Sequence, residues 1–259
     1  MGQDASRALW RRARVGVPHL NVAVVLPAYN EEGNLTPLIT ALADAAATDR
    51  IPLRMIVVDD GSTDGTAEEL AALGLRIPAL VVVPHDKNQG LARALKTGIA
   101  ASRANGCDAA VFMDSDQSHR PRDLGRLVAA LEAGADVALG SRFVPGGGMD
   151  GVPLWRVLIS RAGNTFGRLV LGLPIRDLTT GYRAVRRSVL DRVTLGEDGF
   201  TIQLESVVKA IAAGFTVVEV PIVLGTRRHG VSHMHYSAAL FRDYWRLLMS
   251  CRRWMRERA

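Results

Sequence analysis

The sequence predicts an α/β fold on a mainly parallel sheet, and three observations carry that prediction. Apolar runs of strand length alternate with segments of helical spacing from Val22 to Leu139, the pattern of successive βαβ units. These runs are continuous rather than alternating, as in strands covered on both faces. Several end in acidic or amide side chains, at the carboxyl edge where open α/β sheets bind ligands.

The elements follow in order. Val22 to Leu26 reads as the first strand, and residues 35–47, rich in Leu and Ala, as a helix. Met55 to Val58 is a second strand, Glu68 to Leu73 a short helix and Ala79 to Val83 a third strand. Gly90 to Ser102 has helical spacing, and the apolar run 109–113 is a fourth strand. Asp123 to Ala133 reads as a helix and Asp136 to Leu139 as another strand. Val144 to Gly151, with four Gly and Pro145, reads as a mobile loop that closes over the site. A helix over 154–171 and a late strand, 217–222, follow; Pro221 suggests a sheet edge. Ala238 to Arg258 has amphipathic helical spacing. The chain thus divides into a basic tail (1–20), one large domain (21–237) and a basic C-terminal helix (238–259).

Composition excludes several classes. Hydrophobic residues make up 48% of 259, enough for one sizeable core. Cys107 and Cys251 suggest neither a disulfide framework nor a zinc site, and point to a reducing compartment. No apolar stretch is long enough for a transmembrane helix, and the N-terminus lacks the apolar core of a signal peptide. Met1 to Ser6 does match the short myristoylation pattern. The formal net charge is +6, yet residues 1–20 carry four Arg and one acid, and residues 240–259 six Arg and two acids. The basicity belongs to the tails, so no nucleic-acid partner is expected. Trp10, Trp245 and Trp254 lie in the same tails, and Arg with Trp at chain ends suggests contact with a membrane surface.

Asp114-Ser115-Asp116 places two hard oxygen ligands one residue apart at the end of the fourth strand. Such a pair can hold Mg²⁺ or Mn²⁺ and, through it, a diphosphate; a turn capping the next helix has the same composition. The first strand delivers Tyr29, Asn30 and Glu31 to that edge, and the second delivers Asp59 and Asp60, with Ser62 and Asp64 in a Gly-bounded turn. Acidic and amide groups suit ribose hydroxyls and base N–H groups, whereas carboxylates repel phosphate. No G-x-G-x-x-G follows the first strand and no P-loop is present, which argues against a dinucleotide or Walker site. Base and ribose would lie over strands one and two, with the diphosphate hanging from a metal at Asp114 and Asp116.

These segments resemble a known family. Pro27-Ala28-Tyr29-Asn30-Glu31, Asp59-Asp60-Gly61-Ser62-Thr63-Asp64-Gly65-Thr66 and Met113-Asp114-Ser115-Asp116 are similar to the family 2 inverting glycosyltransferases of the GT-A fold. Gly140-Ser141-Arg142-Phe143, Ser160-Arg161-Ala162-Gly163-Asn164, Asp177 to Arg183, Gly199 to Glu205 and Arg227 to Met234 resemble the polyprenyl-phosphate mannosyltransferases, including the dolichyl-phosphate type. The resemblance covers roughly residues 21–236. It implies nucleotide-sugar binding by Pro27, Tyr29, Asn30, Glu31, Asp59, Asp60 and the Asp114-Ser115-Asp116 segment, with the metal on Asp114 and Asp116. It implies that Arg142, Arg161 and Arg227 neutralise phosphates, a role that suits the guanidinium fork. Asp177 would orient sugar or acceptor, or cap a turn. The sequence departs from the pattern at three places. Ser118 stands where many relatives have Gln, His233 stands in place of Lys, and Ser62-Thr63 replaces the Ser-Pro common in mannosyl enzymes.

The implied reaction is metal-dependent, inverting transfer of mannose from GDP-mannose to a polyprenyl phosphate. The alternatives are a UDP-glucose or UDP-N-acetylglucosamine donor, a soluble acceptor, or a sugar-nucleotide-binding protein without turnover. The enzyme would be cytoplasmic and peripheral to the inner membrane face, with a membrane-protein partner or a homo-oligomer left open. Its C-terminal helix would meet lipid through Phe241, Trp245, Leu248 and Met255, with Arg242, Arg246, Arg253 and Arg256 on another side; packing on the domain is the competing reading. His233 would make phosphate binding pH-dependent if charged, or would be a neutral, backbone-bonded imidazole.

Overall fold

A computed structural model of the chain describes residues 20–227 and 238–256. In chain order the elements begin with β1 (Val22–Ala28), α1 (Leu35–Asp49), β2 (Leu53–Asp59), α2 (Thr66–Gly74), β3 (Leu80–Pro84) and α3 (Leu91–Ala104). Next come β4 (Ala109–Phe112), α4 (Leu124–Glu132), β5 (Val137–Ser141), β6 (Gly148–Met149) and α5 (Leu154–Leu171). The chain closes with β7 (Arg183–Arg186), α6 (Arg187–Arg192), α7 (Ile202–Ala212), β8 (Val217–Pro221), β9 (Val223–Leu224) and α8 (Ala238–Arg256). The large sheet has seven strands in the order β3-β2-β1-β4-β7-β5-β8, so β8 is at an edge as Pro221 suggests.

The sheet is covered on both faces, which explains the continuous apolar runs. Val22, Val24 and Leu26 join one core layer with α1, α2 and α4; Ala23 and Val25 join the other with α3, α7 and α8. β2 and β3 lie on one side of β1 and β4 on the other, all parallel. The order in which strands are added therefore reverses between β1 and β4, and the crevice beyond their carboxyl ends is where such sheets bind ligands.

Three readings of the sequence change. β7 is an antiparallel strand between β4 and β5; two Arg ends flank only two apolar residues, which hides it from an apolar-run criterion. Being antiparallel, β7 brings its N-terminal end, with Gly181 and Tyr182, to the same edge as Asp114. The Gly-rich loop is pinned: β6 pairs with β9, the Asp150 N–H donates to the Leu224 carbonyl at 2.7 Å, and Arg120 holds Asp150 at 2.9 Å. The C-terminal helix packs on the domain. Leu247, Leu248 and Cys251 are at most 6% exposed and belong to the core beneath α8. Leu248 and Met255 therefore face inward or along the domain, and a deletion after Ala239 would uncover core. Among the described side chains of that predicted face, only Trp245 is exposed; the side chains of Phe241 and Arg256 lie outside the described residues. No described helix is long and apolar enough to cross a membrane.

Candidate active site

A cleft of about 800 Å³ opens over the carboxyl edge at β1 and β4, a size suited to a small organic ligand. Of the residues read from sequence, Pro27, Tyr29, Glu31, Asp60, Asp114, Ser115, Asp116, Arg142 and Arg227 line it.

Its floor is the Asp114–Asp116 loop. Asp116 Oδ1 accepts the Ser118 backbone N–H at 3.0 Å and the Ser118 hydroxyl at 2.6 Å. Ser118, in the position of the family Gln, lines the cleft and commits its hydroxyl to Asp116. Ser115 anchors the loop by donating its hydroxyl to the Pro27 carbonyl at 2.8 Å. The Asp114 N–H donates to His119 Nδ1 at 3.1 Å, which puts the proton of the neutral imidazole on Nε2. The Asp114 carboxyl keeps 44% of its surface accessible, and it carries no hydrogen bond among the described residues. Desolvation in the cleft raises its pKa; the Arg227 guanidinium and buried Arg183 oppose the rise, while the Asp116 carboxylate adds to it. Burial lowers the pKa of Arg183 to about 10, so it remains a cation at pH 7. Gly181 packs closely here: a Cβ would stand 3.3 Å from Asp114 Oδ1 and 3.2 Å from the Gln203 amide, so either side chain would have to shift slightly.

The end of the cleft over β1 and β2 is a set of clipped loops. Asn30, in a left-handed conformation at φ 54°, donates its backbone N–H to Ser62 Oγ and accepts the Thr63 N–H on its side-chain oxygen at 2.8 Å. A Pro at 63 would have no N–H to donate, so this clip accounts for the Ser62-Thr63 departure. Asp60 is buried, accepting the Gln89 and Gly90 N–H groups and pairing with His85 Nδ1 at 2.6 Å. Asp59 accepts the Ser62 N–H at 3.0 Å. Asn30 and Asp59 thus stand behind the lining, shaping loops that Tyr29, Asn88, Leu91 and Ala94 complete.

The opposite wall is cationic. Arg142 is clamped by fully buried Asp177, with Nε and Nη2 each 2.7 Å from a carboxylate oxygen. Asp177 is itself fixed through its backbone N–H by Glu219 at 3.0 Å, and Thr179 links Arg142 to Asn164. Asp177 therefore positions Arg142, and neither reading made from sequence, substrate contact or turn cap, describes it. Arg161 is exposed and outside the cleft lining. The same helix instead turns Arg156 and Ser160 into the cleft, and Arg156 Nε is buried with no hydrogen-bond partner among the described residues. Helical spacing contained the signal, since Arg156 and Ser160 precede buried Asn164 by eight and four residues. Arg227 reaches Asp116 and Glu31 from the chain after β9. Burial raises the pKa of Glu31, which Arg227 opposes. Gln203 lines the cleft, whereas Tyr182 is a core residue stacked on His119. His233 lies outside the described residues.

Fold and cleft together define a glycosyltransferase of the GT-A type. The chain belongs to glycosyl transferase family 2, whose model matches residues 23–194. It is 42% identical to polyprenol monophosphomannose synthase of Mycolicibacterium smegmatis over 84% of this chain and 82% of the relative. Undecaprenyl-phosphate mannosyltransferase of Micrococcus luteus is 35% identical, over 83% of this chain and 88% of that protein. Dolichol-phosphate mannosyltransferase of Pyrococcus furiosus is also 35% identical, over 83% of this chain and 59% of its own length. Among solved structures, glucosyl-3-phosphoglycerate synthase of Mycobacterium tuberculosis, in a complex with Mn²⁺, UDP and glucosyl-3-phosphoglycerate, superposes with a TM-score of 0.68. That match is 23% identical and covers 93% of this chain and 82% of the other.

Proposed function

We propose that the protein transfers a mannosyl residue from GDP-mannose to a polyprenyl phosphate, with inversion, at a membrane surface. The observation that carries this reading is one cleft with two kinds of wall. An acidic strand end suits a metal-bound donor diphosphate, and a cationic wall of Arg142, Arg156 and the Ser160 hydroxyl suits an acceptor phosphate. The sugar and the lipid class rest on the relatives at 35–42% identity.

The donor set fits a divalent cation of the Mg²⁺ or Mn²⁺ kind. No group of three or more His, Cys, Asp or Glu is gathered for a metal among the described residues. Two carboxylates completed by substrate phosphates are the usual arrangement for Mg²⁺. Asp114 and Asp116 would hold the cation, which when bound supplies charge neutralisation for the departing nucleoside diphosphate.

The chain's own residues do the rest. A lipid phosphate has a second pKa of about 6, so it is already a nucleophile at pH 7 and needs no strong base. The site agrees: His119 is 3% exposed and committed to the Asp114 N–H, and Asp177 is committed to Arg142. Arg142 and Arg156 would neutralise and orient the acceptor oxyanion for in-line attack on the anomeric carbon. The decisive assay follows ¹⁴C-mannose from GDP-mannose into an organic-soluble polyprenyl product, with UDP-glucose and UDP-N-acetylglucosamine as parallel donors. Label remaining in the aqueous phase with every donor would reject the lipid acceptor.

The membrane contact belongs to α5. The helix that turns Arg156 and Ser160 to the cleft exposes Leu154 (72%), Leu158 (57%) and Leu169 (69%) on its outside. Trp155 and Phe166 join them, and Trp245 of α8 stacks on Phe166 at 5.9 Å between ring centroids. Exposed Arg161, Arg242 and Arg246 lie on the same two helices, and each basic residue near an anionic surface contributes about 1 kcal/mol. Replacing Leu158 and Leu169 together by Ser removes mostly exposed apolar surface, so the fold should remain. Co-sedimentation with anionic vesicles is expected to fall several-fold; unchanged binding would move the contact elsewhere.

A further inference from the structure

The cleft contains an ion pair that the proposed reaction would have to break. Arg227 Nε lies 3.3 Å from Asp116 Oδ2, and Arg227 Nη2 donates to Glu31 Oε1 at 2.9 Å. All three side chains are at most 20% exposed. The third guanidinium nitrogen, Nη1, is buried with no hydrogen-bond partner among the described residues. The other Asp116 oxygen is already taken by the amide and hydroxyl of Ser118, within its own loop. So both oxygens of Asp116 are engaged, whereas the Asp114 carboxyl is open.

We propose that Arg227 is a resident cation that occupies Asp116 until the donor diphosphate claims its guanidinium, so that divalent metal and diphosphate bind as a linked pair. This inference rests on the reading of Asp114 and Asp116 as the metal's carboxylates. A cation arriving alone finds one free carboxylate and one that a buried guanidinium already neutralises. A diphosphate arriving alone finds Arg227 held by Glu31 and Asp116. When both arrive, the metal replaces Arg227 on Asp116 while the diphosphate supplies acceptors for the released nitrogens, including the partnerless Nη1. Each ligand thereby removes the other's competitor, and the coupling is reciprocal by linkage. Such a device would suit a transferase, because neither the metal nor the diphosphate alone would hold the site in its loaded charge state.

The test is a titration of the full chain with Mn²⁺, following the free-ion electron paramagnetic resonance signal without nucleotide, then with GDP, with UDP as a parallel arm. In the wild type, nucleotide is expected to tighten Mn²⁺ binding by tenfold or more, within the usual range of roughly 5- to 150-fold for coupled sites. In Arg227→Gln, Mn²⁺ alone should bind roughly tenfold more tightly than in the wild type, and the tightening by nucleotide should shrink. Arg227→Lys separates contact from long-range charge. It keeps the charge but cannot span Glu31 and Asp116 with a planar fork, so its metal affinity should move toward that of Arg227→Gln. Mn²⁺ affinity that is equal or weaker in Arg227→Gln overturns the proposal, as does a Lys variant identical to wild type. Mn²⁺ binding to no variant, with or without nucleotide, overturns it together with the metal reading. Intact linkage without mannosyl transfer supports it and faults only the sugar or acceptor assignment.

Discussion

Asp116→Ala is expected to lower mannosyl transfer by roughly three orders of magnitude, the scale of several kcal/mol of lost charge stabilisation at the leaving group. Asp116 is the strand-end carboxylate whose two oxygens meet Ser118 and Arg227. Its removal leaves Asp114 as a single ligand, and excess Mn²⁺ should restore little. The cost to folding should be small beside the loss of activity, because Arg227 keeps Glu31 as a partner at 2.9 Å. Transfer assays across a Mn²⁺ series, with a thermal melt of the same preparation, measure both effects. More than a tenth of wild-type activity in the variant, or full wild-type activity in excess EDTA, would remove the metal from the reaction.

The second large effect is on stability. Asp177 is fully buried and takes three hydrogen bonds from Arg142, one from its backbone and two from its guanidinium. Asp177→Ala strands a guanidinium that is only 11% exposed. Breaking one side of a buried pair costs about 3–5 kcal/mol, a large part of the roughly 5–15 kcal/mol that holds a domain folded. Urea denaturation should show that loss. Replacing both partners, Asp177→Asn with Arg142→Met, should cost less than the sum of the single changes, because no charge is left unpaired. A loss below about 1 kcal/mol for Asp177→Ala would mean that water reaches the pair and that Arg142 is not held by it.

The same two sites show what a sequence can place. Asp114 and Asp116 were legible as a strand-end pair because a continuous apolar strand ends at Phe112, and the cleft opens over that edge. Asp177 was legible as a position but not in its role, since its partner is 35 residues away in sequence. Arg156 was passed over for Arg161, although only helix phase separates a cleft-facing Arg from an exposed one. β7 was missed because a buried Arg183, paired with the Gln203 carbonyl and Ser206, breaks the apolar pattern of a central strand.

The sequence by itself determined the parallel strands, most of the helices and the acidic carboxyl edge, because burial on both faces forces continuous apolar runs of local extent. It also placed acidic and amide side chains at the ends of β1, β2 and β4, because each apolar run stops at a polar segment. The tertiary structure alone decided which side chains point where. It turned Leu248 of α8 inward and left the apolar outside of α5 open. It tied Asp60 to His85 and the 89–90 backbone, and set Arg227 between Glu31 and Asp116, which precede it by 196 and 111 residues. Such pairings depend on chain crossings that carry no local periodicity, and only the packed sheet brings them together.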